Sequence, residues 1–103
     1  MSITPKGPIS EPMGPAAEAV IDVRITLATG GVDGVLAFAS CRYARLRIDG
    51  LTVRRAPGGG ITVGFPARKD GRGRRHYFVA PEDAATRAAI ETAVLAAWRE
   101  AAP

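Results

Sequence analysis

Two kinds of chemistry can be built from the side chains of this sequence, and they are unequal. Cys41 and His76 are the chain's one cysteine and one histidine, the types from which a nucleophile and its base are made. Nothing in the spacing brings them together. Cys41 falls within an alternating strand pattern, where a small core residue is the ordinary reading, and His76 follows a run of arginines. The second chemistry is electrostatic: Arg68, Lys69, Arg72, Arg74 and Arg75 place five cations within eight residues, with Asp70 as the one anion among them. Gly71 and Gly73 give that segment backbone freedom to follow a phosphate chain, and His76 and Tyr77 beside it add flat groups for stacking. The plain alternative is a solvated surface loop that binds nothing in particular.

The formal net charge of +4 conceals an asymmetry. From Ser40 to His76 there are ten basic residues against two acidic ones, a net of +8, while the remainder holds four basic and eight acidic residues, a net of −4. Twelve of the fourteen basic residues are arginine, which a GC-rich coding sequence would produce unaided, but codon usage does not cluster them.

Composition removes several classes. One cysteine makes no intramolecular disulfide, and one cysteine with one histidine cannot supply a Cys/His zinc site. Gly58-Gly59-Gly60 precedes a strand pattern, and Gly71-Arg72-Gly73 lacks both the third glycine of a dinucleotide fingerprint and the Lys-Ser/Thr of a phosphate loop, so no nucleotide cofactor is expected. Asp33, Asp49 and Asp70 each precede glycine, as turn residues do. No apolar run is long enough to span a bilayer, and the opening MSITPKGPIS lacks the apolar centre of a signal peptide. A soluble, cytoplasmic chain without cofactor, metal or membrane partner is expected.

These residues must be positioned by a single domain, since 103 residues with 47% hydrophobic content support one core. Residues 1–18 hold four of the eight prolines and read as a flexible tail, leaving 19–103 as the domain. Ile21, Val23, Ile25 and Leu27 alternate with polar residues and predict a half-buried strand at 20–28. Thr29 to Gly34 has turn chemistry, and a second strand runs from Val35 to Tyr43, with Leu36, Phe38 and Ser40 on one face and Ala37, Ala39 and Cys41 on the other. A third strand spans Arg45–Arg54, with a phase change at Asp49-Gly50 that predicts a bulge. Ile61–Phe65 forms a fourth strand stopped by Pro66, residues 67–75 form the basic loop, and His76–Val79 is a short fifth strand. A helix follows from about Pro81 to Ala101, with Glu82 and Asp83 at its positive end and Arg99 near its negative end. Ile90, Val94 and Trp98 make its buried stripe, flanked by Leu95 and Ala97, with Arg87 one turn earlier needing an ionic partner such as Asp83 or a path to solvent. The expected fold is therefore α+β: a small, mostly antiparallel sheet of about four to five strands with a C-terminal helix packed on it.

The order of features from Val20 to Trp98 resembles the SpoVG family, the bacterial stage V sporulation protein G or septation proteins. Ile21-Asp22-Val23-Arg24-Ile25 is similar to that family's V-T-D-V-R-[LI], and Gly34, the small-apolar strand Leu36 to Ser40, Leu46-Arg47-Ile48 and Leu51-Thr52-Val53 follow in the family's order. Gly60 to Lys69 is similar to G-L-F-V-A-M-P-S-[KR]-[KR], and Gly73 stands eight residues before Pro81, as the family's loop glycine does before its proline. Arg87-x2-Ile90-x3-Val94-Leu95-x2-Trp98 resembles R-x2-I-x3-V-L-x2-Y. The chain differs from the family at Tyr77, where an acidic residue is usual, at Trp98 in place of tyrosine, in the added charge of Arg74-Arg75 and in its Pro-rich beginning.

The resemblance implies a dimer formed through strands that binds DNA, and in some members RNA, as a regulator. Unpaired edges on a short sheet make such pairing physically reasonable, and a two-fold axis would double the basic face. The reading that results is a homodimeric nucleic-acid-binding regulator, DNA being favoured over RNA. Arg68, Lys69, Arg72, Arg74 and Arg75 are its phosphate contacts, Arg54 and Arg55 are secondary ones, Arg87 is a further candidate whose place on the helix an ion pair would equally explain, and no catalysis is expected. The alternative is a protein-interaction module in cell division or regulation, and a more remote one is an enzyme using Cys41 or His76.

Overall fold

The structure is a computed structural model and describes residues 19–29 and 34–102. The expected tail at 1–18, and residues 30–33 of the expected first turn, lie outside the described residues. Among the described residues six strands and one helix follow in order: β1 (Val20–Leu27), β2 (Val35–Tyr43), β3 (Leu46–Arg55), β4 (Ile61–Gly64), β5 (Ala67–Lys69), β6 (Arg75–Tyr77) and α1 (Ala84–Ala101). Strands β1 to β4 form an antiparallel meander in sequence order, and β5 and β6 pair only with each other. The architecture is the expected α+β class, with α1 packed on one face of the larger sheet.

The covered face combines small and branched apolar residues, and the helix lies nearest β1. Ala37, Ala39 and Cys41 of β2, Leu51 and Val53 of β3, and Ile90 and Val94 of α1 form the centre of the core. Each of the larger side chains among them contributes about 1.5–3 kcal/mol by leaving water. Leu95 and Trp98 pack at the margin of this cluster, so the helical stripe is the expected one.

The ladders carry three bulges, one of them at Leu36 in β2, and the other two set which side chains reach that face. Ile48 and Leu51 are both buried although three residues apart, because β3 carries an extra residue between the Ala39–Leu51 and Cys41–Ile48 pairs. Gly50 absorbs the irregularity at φ 80°, and a Cβ there would stand 3.2 Å from the Pro66 Cβ, so the bulge also seats the proline. The second bulge lies in β1 at Asp22, φ 53°. It reverses the alternation, so that Val20, Val23 and Ile25 pack on the core while Ile21 turns outward and is 47% exposed. Leu27, near the strand end, is also exposed, and the expected stripe of four is thus two residues, Val23 and Ile25, joined by Val20.

The helix begins later than expected. Asp83 is its N-cap in extended conformation, with its carboxylate accepting from the Thr86 backbone N–H at 2.6 Å, so Pro81 and Glu82 lie before the first turn. A cap of this kind satisfies one of the backbone donors that the first helical turn leaves unpaired. The same hydrogen bond holds the Asp83 carboxyl below its ordinary pKa. At the other end Arg99 lies in the last turn and the Ala102 N–H donates to the Trp98 carbonyl at 2.8 Å.

Candidate nucleic-acid interface

The basic segment is a β-hairpin. Ala67 pairs with Tyr77, Arg68 with His76 and Lys69 with Arg75, and the Asp70 N–H donates to the Arg74 carbonyl at 2.8 Å. The turn closes through the Gly73 N–H on the Asp70 carbonyl at 3.0 Å, with Gly73 at φ 80°. Residues 67–75, expected as a loop free to follow a backbone, are therefore an ordered hairpin. The fifth strand starts one residue earlier than expected and ends at Tyr77.

Asp70 holds this turn from inside. Its Oδ1 accepts from the Arg72 and Arg74 backbone N–H groups at 2.8 and 3.0 Å, while its Oδ2 lies 2.7 Å from His76 Nε2 and 3.5 Å from Arg74 Nε. The His76 hydrogen bond, followed by the two backbone donors, keeps the Asp70 carboxyl below its ordinary pKa. One carboxylate thus fixes the frame on which the cations stand.

Opposed residues of a hairpin share a face, and this divides the expected phosphate contacts. Arg68 and His76 lie on one side, where Asp70 and Arg74 also meet, and Lys69, Arg75, Ala67 and Tyr77 lie on the other. The second side turns toward the larger sheet. Between them runs a groove of about 820 Å³, whose lining includes Arg54, Arg55, Arg75, Arg87, Tyr77 and Phe78 and no carboxylate. Arg54 and Arg55, expected as secondary contacts, stand with Arg75 in this groove; Arg68, Lys69, Arg72 and Arg74 are not in its lining.

Local sequence explains the groove's floor. A Cβ on Gly64 would stand 2.6 Å from Thr52 Oγ1 and 3.6 Å from Arg54 Cδ, so the bare glycine lets both neighbouring side chains lie across β4. Phe65 and Pro66 then leave the sheet without a ladder partner and carry the chain into the hairpin, which is tied back by the Phe78 N–H on the Pro66 carbonyl at 2.8 Å. Arg87 enters from the helix, its guanidinium carbon 5.0 Å from the Phe65 ring centroid and its Nη1 3.4 Å from Glu91 Oε2. Its ionic partner is Glu91, one turn later, in place of Asp83, which caps the helix. Arg87, a further candidate contact by sequence, thus has an ionic partner and also lines the groove, a meeting with positions 54, 55 and 75 that no local spacing marks.

Two cations elsewhere on the sheet are held by carboxylates. Arg24 pairs with Asp22 at 3.3 Å, and Arg47 approaches Asp22 at 3.6 Å, Asp49 at 3.8 Å and the Ser40 hydroxyl at 3.3 Å. Among the described residues, Arg42, Arg45, Arg55, Arg68, Lys69, Arg72, Arg75 and Arg99 form no ion pair with a carboxylate. Five of these eight, Arg55, Arg68, Lys69, Arg72 and Arg75, lie on the hairpin and the adjoining groove wall.

Cys41 is fully buried in the core, and burial pushes its thiol pKa up, with Arg47 acting weakly in the other direction. His76 sits on the exposed hairpin, hydrogen-bonded to Asp70. Among the described residues no three His, Cys, Asp or Glu side chains come together as a metal site, and no helix is long and apolar enough to cross a membrane.

Fold and site together define a small α+β protein with a cationic groove between a four-stranded sheet and a two-stranded hairpin. Its sequence matches no family model and no curated protein.

Proposed function

We propose that this chain is a cytoplasmic, non-enzymatic nucleic-acid-binding regulator of the kind its sequence resembles, the SpoVG family, acting as a homodimer and preferring DNA to RNA. The observation that carries the reading is the concentration of cations without carboxylate partners on the hairpin and the groove beside it. Phosphates along a nucleic-acid backbone complement that surface, and displaced counterions supply the driving force. Arg68, Lys69 and Arg72 present charge on the hairpin, and Arg54, Arg55 and Arg75 present it in the groove.

Fluorescence titration of a labelled duplex and a labelled single strand over a series of salt concentrations tests the reading. Affinity is expected to fall steeply with salt. Neutralising Arg68, Lys69 and Arg72 together is expected to reduce the slope of log K against log salt by up to about 3 if each meets one phosphate. Absence of binding to both probes at low salt would sink the proposal.

A second reading, a protein-interaction module, draws support from a different surface. Ile21, Leu27 and Leu46 are exposed apolar side chains on β1 and at the start of β3, away from the groove lining. In that case the arginines serve solubility, and neither probe binds.

A further inference from the structure

We infer that the groove between β4 and the hairpin is a site for single-stranded nucleic acid, with Tyr77 and Phe78 stacking on unpaired bases while Arg54, Arg55, Arg75 and Arg87 face the phosphates. This rests on the nucleic-acid reading above and specifies which form of nucleic acid the site takes.

Three features point to one occupant. The groove's volume, about 820 Å³, lies in the range that accepts a drug-sized ligand, which suits one or two nucleotide units. Its lining holds four arginines and no carboxylate, and although Arg87 is paired with Glu91 outside the lining, Arg55 and Arg75 form no ion pair, so an anionic chain is favoured along that wall. Tyr77 and Phe78 are 49% and 67% exposed, and both line the groove although the core does not require them. In a duplex the base faces are buried against one another, so exposed aromatic rings beside phosphate-binding groups find partners only in an unpaired strand.

Phe38 provides the contrast. It is 50% exposed at the centre of the open sheet face, opposite Thr26 and Thr52, but outside the groove lining. The depression beside it includes Asp49, and Arg24 on its rim is already paired with Asp22. An aromatic ring in that setting has a carboxylate in the same depression and lacks neighbours like Arg55 and Arg75, so it serves as an internal control.

The test uses the full chain and short labelled oligonucleotides of mixed sequence, as single-stranded DNA, single-stranded RNA and duplex DNA. Single strands are expected to bind more tightly than duplex. Tyr77→Ser and Phe78→Ser are each expected to weaken single-strand binding by about fivefold to 100-fold while leaving duplex affinity within about twofold. Phe38→Ser is expected to change neither. Arg75→Gln is expected to lower the single-strand salt slope by about 1. Circular dichroism and sedimentation of each variant separate a binding defect from a fold or assembly defect.

Duplex binding equal to or tighter than single-strand binding, with the aromatic variants unaffected, overturns the inference and leaves the broader reading standing. A change in sedimentation of the Tyr77 and Phe78 variants makes those rings an interface between protein chains and also overturns it. No binding by the unaltered protein removes both. The DNA and RNA arms decide which sugar the groove accepts.

Discussion

The Arg87 guanidinium carbon lies 5.0 Å from the centroid of the Phe65 ring, so a helix cation caps the residue at which the chain leaves the larger sheet. A partly exposed cation–π contact is worth about 0.5–1 kcal/mol, and the Glu91 pair one helical turn away adds about 0.3–0.5 kcal/mol. Arg87→Ala is therefore expected to lower the unfolding free energy by about 1 kcal/mol, read as a lower urea midpoint with unchanged slope. Arg87→Lys should recover only part, because the ammonium lacks the planar face of the guanidinium. Equal midpoints for all three proteins would refute the contact.

Asp70 links pH to the order of the hairpin. Its folded-state pKa is lower than its ordinary one, so its contribution is fully present above the ordinary carboxylate value and is lost as pH falls through the folded value. The window therefore opens below about pH 4. Hydrogen exchange at the Arg72 and Arg74 amides, corrected for the intrinsic rate, should lose protection in that window, and Asp70→Ala should remove the dependence. Protection unchanged across the window would mean that the turn does not depend on the carboxylate.

Gly64 is held to its size by Thr52. Since a Cβ would approach Thr52 Oγ1 to 2.6 Å, Gly64→Ala is expected to destabilise by about 1–3 kcal/mol. Combining it with Thr52→Ala, which removes the opposing hydroxyl, should recover much of that loss in a thermodynamic cycle. Strict additivity of the two changes would refute the steric account.

Ala44 occupies a two-residue turn between the paired Tyr43 and Leu46 with φ 56°, a conformation that costs an L-residue about 1–2 kcal/mol. Ala44→Gly relieves it at the expense of about 0.4–1 kcal/mol of chain entropy in the unfolded state. A net gain of up to about 1 kcal/mol is expected, measured by thermal and urea unfolding. A loss would show that the turn carries no strain.

Strands β1 and β4 form the edges of the larger sheet, and β1 adds the exposed Ile21 and Leu27. Sedimentation at micromolar concentration is expected to give a dimer, and Ile21→Lys is expected to shift it toward monomer, since an edge charge opposes strand pairing. A clean monomer for the unaltered chain would refute pairing through this edge.

Some of this architecture is plain in the sequence. The broken alternation at Asp49-Gly50 announces a bulge because glycine marks it, and Ile90, Val94 and Trp98 recur at helical spacing. The bulge at Asp22 and the turn at Ala44 lack that marker, since non-glycine residues hold the left-handed conformations, and so the outward turn of Ile21 is not legible. Residues 67–75 read as a loop because charge masks the period-two pattern of the strands. The available signal was Asp70-Gly71 followed by Gly73, hairpin chemistry set between matched segments. The groove itself depends on residues 54, 55, 75, 77, 78 and 87, whose meeting is a tertiary fact that no local spacing encodes.

The two sheets share no ladder, and the chain passes between them at Phe65-Pro66, where Pro66 rests against Gly50. The hairpin is consequently expected to open as a unit of its own, losing its hydrogen bonds without unfolding the meander. A ligand bridging both walls would draw the two units into one cooperative transition, so occupancy of the groove would appear as merged unfolding steps.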